Sequence, residues 1–211
     1  MWRVSRVLRS GLTLAAIAAV CTTLVAVTWH FTVERIAANE QAYLEQSLAP
    51  AVAGIDYDSG LLDSKLLIPQ PHTLPGSADA AVYRVYRDGE PAAALFVVSA
   101  RDGYSGPIRL LVGIAAGGDI AGIHVLEHSE TPGLGDGIEA SKSDWPLQFA
   151  GKSLTNPVAA RGGWAIKPDG GEFDQLTGAS VTPRAVVKAV KQTLIYFAAN
   201  RDAVFAAEAQ E

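Results

Sequence analysis

The sequence has little that could hold it together or power it covalently. There is one cysteine and one methionine in 211 residues. A lone Cys excludes an intramolecular disulfide framework and any cysteine-based metal cluster. Charged residues make up only 18% of the chain, and 49% is hydrophobic. That excludes a disordered acidic chain, which would be charge-rich and poor in apolar residues. Basic residues are also short, with 17 Lys+Arg against 22 Asp+Glu and a net charge of −5. No basic excess exists to neutralise phosphates, so no nucleic-acid partner is expected. No internal repeat, Walker phosphate loop or G-x-S-x-G elbow is present. No catalytic triad or dyad emerges, and no catalytic residue is assigned.

What is there begins with a long apolar run. Ser10 to Val33 contains no Asp, Glu, Lys or Arg, and Gly11–Phe31 reads GLTLAAIAAVCTTLVAVTWHF. About 20 apolar residues cross a ~30 Å hydrocarbon core as a helix. Arg3, Arg6 and Arg9 precede the run, while Glu34 and Arg35 follow it. The positive-inside bias therefore sets the N-terminus in the cytoplasm and the rest across the membrane. Trp29 and His30 fall at the far interface. The run exceeds a signal-peptide h-region and no cleavage site follows, so an uncleaved anchor is expected. Val20 is a poor residue before a lipoprotein cysteine, which leaves Cys21 as a small apolar residue in the bilayer. Setting aside the three N-terminal arginines leaves 14 basic and 22 acidic residues, a balance of −8. Such a domain does not bind anionic lipid through general electrostatics.

Glu34 to Leu48 reads as a helical continuation ended by Pro50 and Gly54. Ile55–Ser77, punctuated by Pro69, Pro71, Pro75 and Gly76, reads as loop with short elements. The pattern then changes to period two. Strands are expected over Ala81–Arg87, Ala92–Ala100, Ile108–Ala115 and Ile120–Glu127, with hairpin signals at Asp88-Gly89 and Gly117-Gly118-Asp119. Four strands in meander order imply an antiparallel sheet with one covered face. A short helix is expected at Asp144–Phe149 and a strand at Trp164–Lys167. Pro183–Ala199 carries Val186, Val187, Val190, Leu194 and Phe197 at helical spacing, with Thr182 as N-cap and Pro183 as first helical residue. The fold class is α+β.

Chemistry concentrates at Asp174-Gln175-Leu176-Thr177-Gly178-Ala179-Ser180-Val181-Thr182-Pro183. Hydroxyls surround a Gly-Ala pair before a helix N-terminus, where unpaired N–H groups and the positive dipole end favour an anion. Plain capping by Thr182 is the simpler physical account of the same residues. His124 and His128 are four apart, but on a strand that is about 13 Å, so no metal site is expected. Tyr83, Tyr86 and Tyr104 read as sheet packing, Trp145 and Trp164 as core, and Lys167 as solvated. His128 reads either as a neighbour of the site or as a surface residue.

Asp-x-x-Thr-Gly-Ala-Ser at 174–180 resembles the flavinylation motif of the FMN-binding domain family. That family includes flavoproteins of the Rnf electron-transport complex and of the sodium-pumping NADH:quinone reductase. His128-Ser129-Glu130-Thr131-Pro132-Gly133-Leu134-Gly135 resembles a second family segment, and Gly103–Ile108 and Trp145–Lys152 also fit. The resemblance implies FMN joined through its phosphate to the hydroxyl of Ser180, where the family usually has Thr. It implies cofactor contacts from Thr177, Gly178, Ala179 and Thr182, and from Glu130, Thr131, Gly133, Leu134 and Gly135. The implied organisation is a cytoplasmic stretch 1–9, a transmembrane helix 10–31, a membrane-proximal helix and loop 32–77, and a periplasmic FMN-binding domain 78–211. The implied role is an electron-carrying component of an Rnf-type inner-membrane complex that couples electron transfer to ion translocation. Its partners would be the other subunits and, for maturation, a flavin transferase using FAD. A flavoprotein of another membrane reductase, such as the sodium-pumping one, and a non-redox periplasmic scaffold are the alternatives.

Overall fold

The computed structural model describes residues 11–12, 14–29, 31–33, 35, 48–52, 54–58, 64–76, 80–156 and 163–206. Arg3, Arg6, Arg9, His30 and most of the expected helix Glu34–Leu48 lie outside them. The chain divides into two compact units, Met1–Leu44 and Glu45–Glu211.

The first unit contains helix α1, Leu14–Val33, 20 residues long and apolar enough to cross a membrane. Its described threonine side chains are satisfied within the helix. The hydroxyls of Thr22, Thr23, Thr28 and Thr32 each donate to the carbonyl four residues earlier, at 2.7–2.8 Å. Hydrocarbon would offer a hydroxyl no other partner, so such back-bonding makes threonine compatible with a membrane-spanning helix.

The second unit is built on an antiparallel meander. Strands β1 (Lys65–Ile68), β2 (Ala80–Arg87), β3 (Glu90–Ala100), β4 (Ile108–Ala115) and β5 (Ile120–Glu127) pair in chain order. The four strands expected from period two are present within two residues of their expected bounds. β1 arises inside the stretch read as loop. It is a four-residue edge strand that Pro69 cuts short, too brief to show a period.

Register sets the two faces. Val82, Phe96, Val112 and Ile123 pair across neighbouring strands. This row packs with Val186, Val190, Leu194 and Phe197 of the long helix α2, Val181–Ala206. Phe96 meets Phe197 edge to face at 6.0 Å between ring centroids, the offset that ring quadrupoles favour. The helix runs seven residues past the expected Ala199. Phe205 explains the extension, since it packs on Phe197 at 6.1 Å and on Tyr86 at 6.3 Å.

The second face is also covered, contrary to the expectation of one covered face. A 3-10 turn, Ala49–Val52, lies on it, and Leu48, Ala51 and Val52 pack with Tyr83, Val85, Leu95 and Leu111. The approach is backbone to backbone. Gly113 pairs with Gly122 across β4 and β5. A Cβ on Gly113 would meet the Ala51 carbonyl oxygen at 1.8 Å, and one on Gly122 the Pro50 oxygen at 2.7 Å. Only glycine admits a carbonyl so near the sheet.

An aromatic cluster completes the core beyond β5. Trp145, Phe149, Trp164 and Phe173 lie within 4.7–6.4 Å of one another in contacting pairs. Trp145 and Trp164 are buried, as expected, and their indole N–H groups donate to the carbonyls of Asp174 and Ser153. The short helix is 3-10, Trp145–Phe149. The strand expected at Trp164–Lys167 does not form. A single bridge joins Ile166 to Phe173, and a 3-10 turn follows at Lys167–Asp169. The apolar residues there serve the aromatic cluster and the core instead.

Candidate functional site

Three loops converge on the first turn of α2. In the first, Thr131-Pro132-Gly133-Leu134 forms a tight turn, and the Thr131 carbonyl accepts the N–H groups of Leu134 (3.1 Å) and Gly135 (3.0 Å). In the second, Leu176-Thr177-Gly178-Ala179 turns on an Ala179 N–H to Leu176 carbonyl bond of 3.0 Å. Both turns carry glycine at the third position with positive φ, +76° at Gly133 and +77° at Gly178. That position in a type II turn is closed to most other residues. A Cβ on Gly178 would come within 2.9 Å of Leu134 Cδ2, so the two turns touch. The third loop, around Tyr104 and Ser105, is fastened by Ser105 N–H donating to Glu130 Oε1 at 3.1 Å.

Glu130 is the hub of this arrangement. It is 4% exposed. Its second oxygen, Oε2, accepts the Thr182 hydroxyl at 2.5 Å. A buried carboxylate needs such donors, and here they come from a loop and a helix far apart in sequence. The Glu130 N–H donates to His128 Nδ1 at 3.0 Å, which leaves the proton on Nε2, facing Glu139 Oε1 at 2.8 Å. His128 therefore braces the loop from a nearly buried position rather than lying on the surface. Its hydrogen bond, with lesser help from Ser141, holds the Glu139 carboxyl below the usual range.

The helix begins one residue before the expected cap. Val181 is its first residue, and the Ser180 carbonyl accepts the Arg184 N–H at 3.4 Å. Ser180 therefore occupies the N-cap position. Thr182 is not the cap: it is 1% exposed and its hydroxyl is turned to Glu130. Pro183 falls inside the first turn, where its missing N–H is harmless.

Between the loops lies a cavity of about 460 Å³, within the range of small-molecule sites. Of the expected residues, Gly178, Ala179, Ser180 and Thr182 line it from the helix side. Glu130, Thr131, Leu134 and Gly135 line it from the opposite loop. Gly133 and Thr177 are in the turns but not in the lining. Tyr104 and Val181 line the cavity without having been singled out for it. Tyr104 is not sheet packing: it sits in a loop with 72% of its surface exposed. An aromatic beside a Gly-Pro turn was its available signal.

The donor set has two characters. At one end stand the Ser180 hydroxyl and the N-terminus of a 26-residue helix with no acidic residue in its first turn. Arg184 Nη1 donates to Ser180 Oγ at 3.1 Å. Asp169 binds the same guanidinium at 2.6 and 2.8 Å. This pairing, through its hydrogen bonds, lowers the Asp169 carboxyl and raises Arg184. Around the rest of the cavity, Leu134, Val181 and Tyr104 offer exposed apolar surface. Gly135 leaves room where a Cβ would strike Glu130 and Thr182 at 2.9–3.0 Å. An anion at one end and a planar apolar ring at the other suit these residues, which is the outline of a flavin mononucleotide. Lys167 is solvent-exposed and paired with Asp174 at 2.5 Å. His124 lies within β5 opposite Leu111, and its burial lowers its imidazole.

The FMN-binding domain family model matches residues 103–195, and the RnfG N-terminal region model matches residues 1–50. The G subunit of the ion-translocating oxidoreductase complex of Pseudomonas aeruginosa (strain PAO1) is 45% identical over 201 residues, 95% of this chain and 93% of that one. Its counterpart in Pseudoalteromonas atlantica is 41% identical over 199 residues, 94% and 92% of the two chains. This chain belongs to the RnfG family of ion-translocating oxidoreductase complexes. Among solved structures, the C subunit of the Na(+)-translocating NADH-quinone reductase of Parabacteroides distasonis matches with a TM-score of 0.44 and 18% identity. That match covers 67% of this chain and 76% of the other. In this RnfG family member, the FMN-binding domain match spans β4, β5, both glycine turns and the first half of α2. The cavity described above therefore lies inside the matched region.

Proposed function

We propose that this chain is a membrane-anchored subunit of an ion-translocating oxidoreductase complex, carrying FMN esterified to Ser180. FMN, when bound, supplies reversible uptake and release of electrons. The protein's part is to tether and surround it. One observation carries this reading: Ser180 presents its hydroxyl at the N-cap of α2, on the wall of a cavity within an FMN-binding domain.

Each residue has a distinct task in it. Ser180 provides the oxygen for a phosphoester, which leaves the redox-active ring unmodified. The N–H groups of the first helical turn favour the phosphate charge. Leu134, Val181 and Tyr104 supply the apolar walls for the ring, while Gly135 makes room for the pair of Glu130 and Thr182 and Gly178 for Leu134, which keeps the two loops close. Thr131 and Ala179 complete the rim, with Gly133 and Thr177 setting the turns behind it. Glu130 and Thr182 hold the loop and the helix at fixed separation. Electron transfer to and from a tethered ring needs no acid or base from the protein.

The anchor and its orientation belong to the same proposal. Arg3, Arg6 and Arg9 keep the N-terminus in the cytoplasm, so residues 78–211 carry the cofactor on the periplasmic side. Within the stretch 32–77, residues 48–52 and β1 are part of that domain's own fold rather than a lead-in to it. The partners are the other subunits of the complex, and a flavin transferase using FAD installs the cofactor.

Co-expression of the full chain with such a transferase, followed by denaturing electrophoresis, tests the proposal. A fluorescent band and an FMN-sized mass increase on the Ser180 peptide are expected. A band without fluorescence would exclude the flavoprotein reading. Fluorescence that survives Ser180→Ala would exclude the attachment site.

A further inference from the structure

The first turn of α2 carries a charge that helix physics disfavours. A helix N-terminus is already positive, and cations belong at the other end. Here the turn has no acidic residue, and Arg184 lies one turn below the N-cap. Asp169 arrives from the 3-10 turn Lys167–Asp169 to meet it. The geometry of that encounter is specific. Asp169 Oδ2 accepts from Arg184 Nε at 2.6 Å, and Oδ1 accepts from Nη2 at 2.8 Å. The planar fork is thereby fixed with Nη1 left over. Nη1 is the nitrogen that donates to Ser180 Oγ at 3.1 Å. Asp169 and Arg184 cancel one another's charge. A phosphodiester on Ser180 would add one negative charge at the positive end of the helix.

We infer that Arg184 is the binding residue for the phosphate joined to Ser180, and that Asp169 is its positioning residue. This rests on the reading of Ser180 as the attachment point. Attachment forms a bond between Ser180 Oγ and the flavin-side phosphorus of FAD and breaks the pyrophosphate P–O bond. AMP leaves, the hydroxyl proton is released to solvent, and no electrons change hands. Arg184 serves this exchange twice. Before it, Nη1 donates to an Oγ lone pair and holds the hydroxyl in one rotamer. As the bond forms, the same guanidinium faces the phosphate oxygens and offsets their charge. Lysine has the charge but cannot hold two oxygens of Asp169 while reaching Ser180.

The test is a time course of covalent loading on the detergent-solubilised full chain, with a flavin transferase and FAD. It is read by in-gel fluorescence and intact mass, alongside a thermal melt of each variant. Arg184→Gln is expected to load about tenfold more slowly, the scale of one lost charge-assisted hydrogen bond. Arg184→Lys should fall between it and the wild type. Asp169→Asn keeps the cation but loosens its aim, and should slow loading by about threefold. Equal loading of Arg184→Gln and wild type, with none in Ser180→Ala, would overturn this inference and leave the attachment site standing. Equal slowing by Arg184→Gln and Asp169→Asn, matched by equal losses of melting temperature, would also overturn it, since the pair would then be only a structural ion pair. Where Arg184→Gln fails to fold, the comparison of Arg184→Lys with Asp169→Asn decides on the same terms. A wild-type chain that takes no flavin would remove the attachment reading itself, and this inference with it.

Discussion

Two hydroxyls stand two residues apart at the start of α2, and the fold uses them in opposite ways. Thr182 is 1% exposed and donates to a buried carboxylate. Ser180 is half-buried, faces the cavity and receives a hydrogen bond from an exposed arginine. One side of the turn is built like a core and the other like a reagent. The difference follows from where the helix lies on the sheet, because the same face that packs Val186 and Val190 carries Thr182 inward. It teaches that a hydroxyl-rich helix entry is not one device. A hydroxyl that holds the fold has to be buried and paired, and a hydroxyl that reacts has to be reachable.

The contrast can be broken by substitution. Ser180→Ala should abolish covalent flavin completely while costing only about 0.5–1 kcal/mol of stability, the lower range for an N-cap serine. Denaturing gel fluorescence and a urea melt of the same preparation measure both. A stability loss as large as that of a buried variant would erase the distinction. On the other side, Glu130→Ala should cost about 2–4 kcal/mol, because Ser105 N–H and the Thr182 hydroxyl lose their acceptor together. Chemical denaturation reads this directly, and an unchanged midpoint would show that the buried clasp holds nothing. Thr182→Val keeps the shape and removes one donor, so about 1–3 kcal/mol is expected, less than for Glu130→Ala. Reversed order of the two would mean that the Ser105 loop contributes nothing through Glu130.

The smallest effect concerns pH. Arg184 depresses the Asp169 carboxyl in the folded chain. A depressed carboxyl contributes stability above its unfolded value, and that contribution is lost as pH falls through the folded one. Melts of wild type and Asp169→Asn should therefore converge as pH drops from about 5 to below the ordinary Asp value of about 3.9. A constant gap across that window would mean that the exposed pair is not coupled to folding.

Much of this was legible along the chain. Strand-length runs bounded by turn signals marked β2 to β5, although β3 and β4, covered on both faces, read as near-continuous apolar runs rather than as clean alternation. Helical spacing from Val186 to Phe197 marked α2, and twenty uncharged residues marked α1. The two glycine turns could be suspected from Thr-Pro-Gly-Leu and Leu-Thr-Gly-Ala, each with the residue that a positive φ requires. Other features had no local signal. β1 is four residues between breakers, and its strand character comes from pairing with β2. The strand expected at Trp164–Lys167 had the right residue types, yet its aromatic ring was claimed by Phe149 and Phe173. Capping by Thr182 was the better local guess, and the buried carboxylate of Glu130, 52 positions earlier, prevailed over it.

The sequence alone determined the long apolar helix α1, the meander, the helix α2 and the hydroxyl beside a glycine, because each depends on neighbours within a few positions. Tertiary structure decided which hydroxyl is buried and which is reachable, that Tyr104 and Val181 face the cavity, and that Asp169 aims Arg184 at Ser180. It also decided that the second face of the sheet is closed by a carbonyl resting on Gly113. Those outcomes depend on contacts between residues far apart in the chain. Periodicity records which side of an element is apolar, and it holds no record of which distant group will be waiting there.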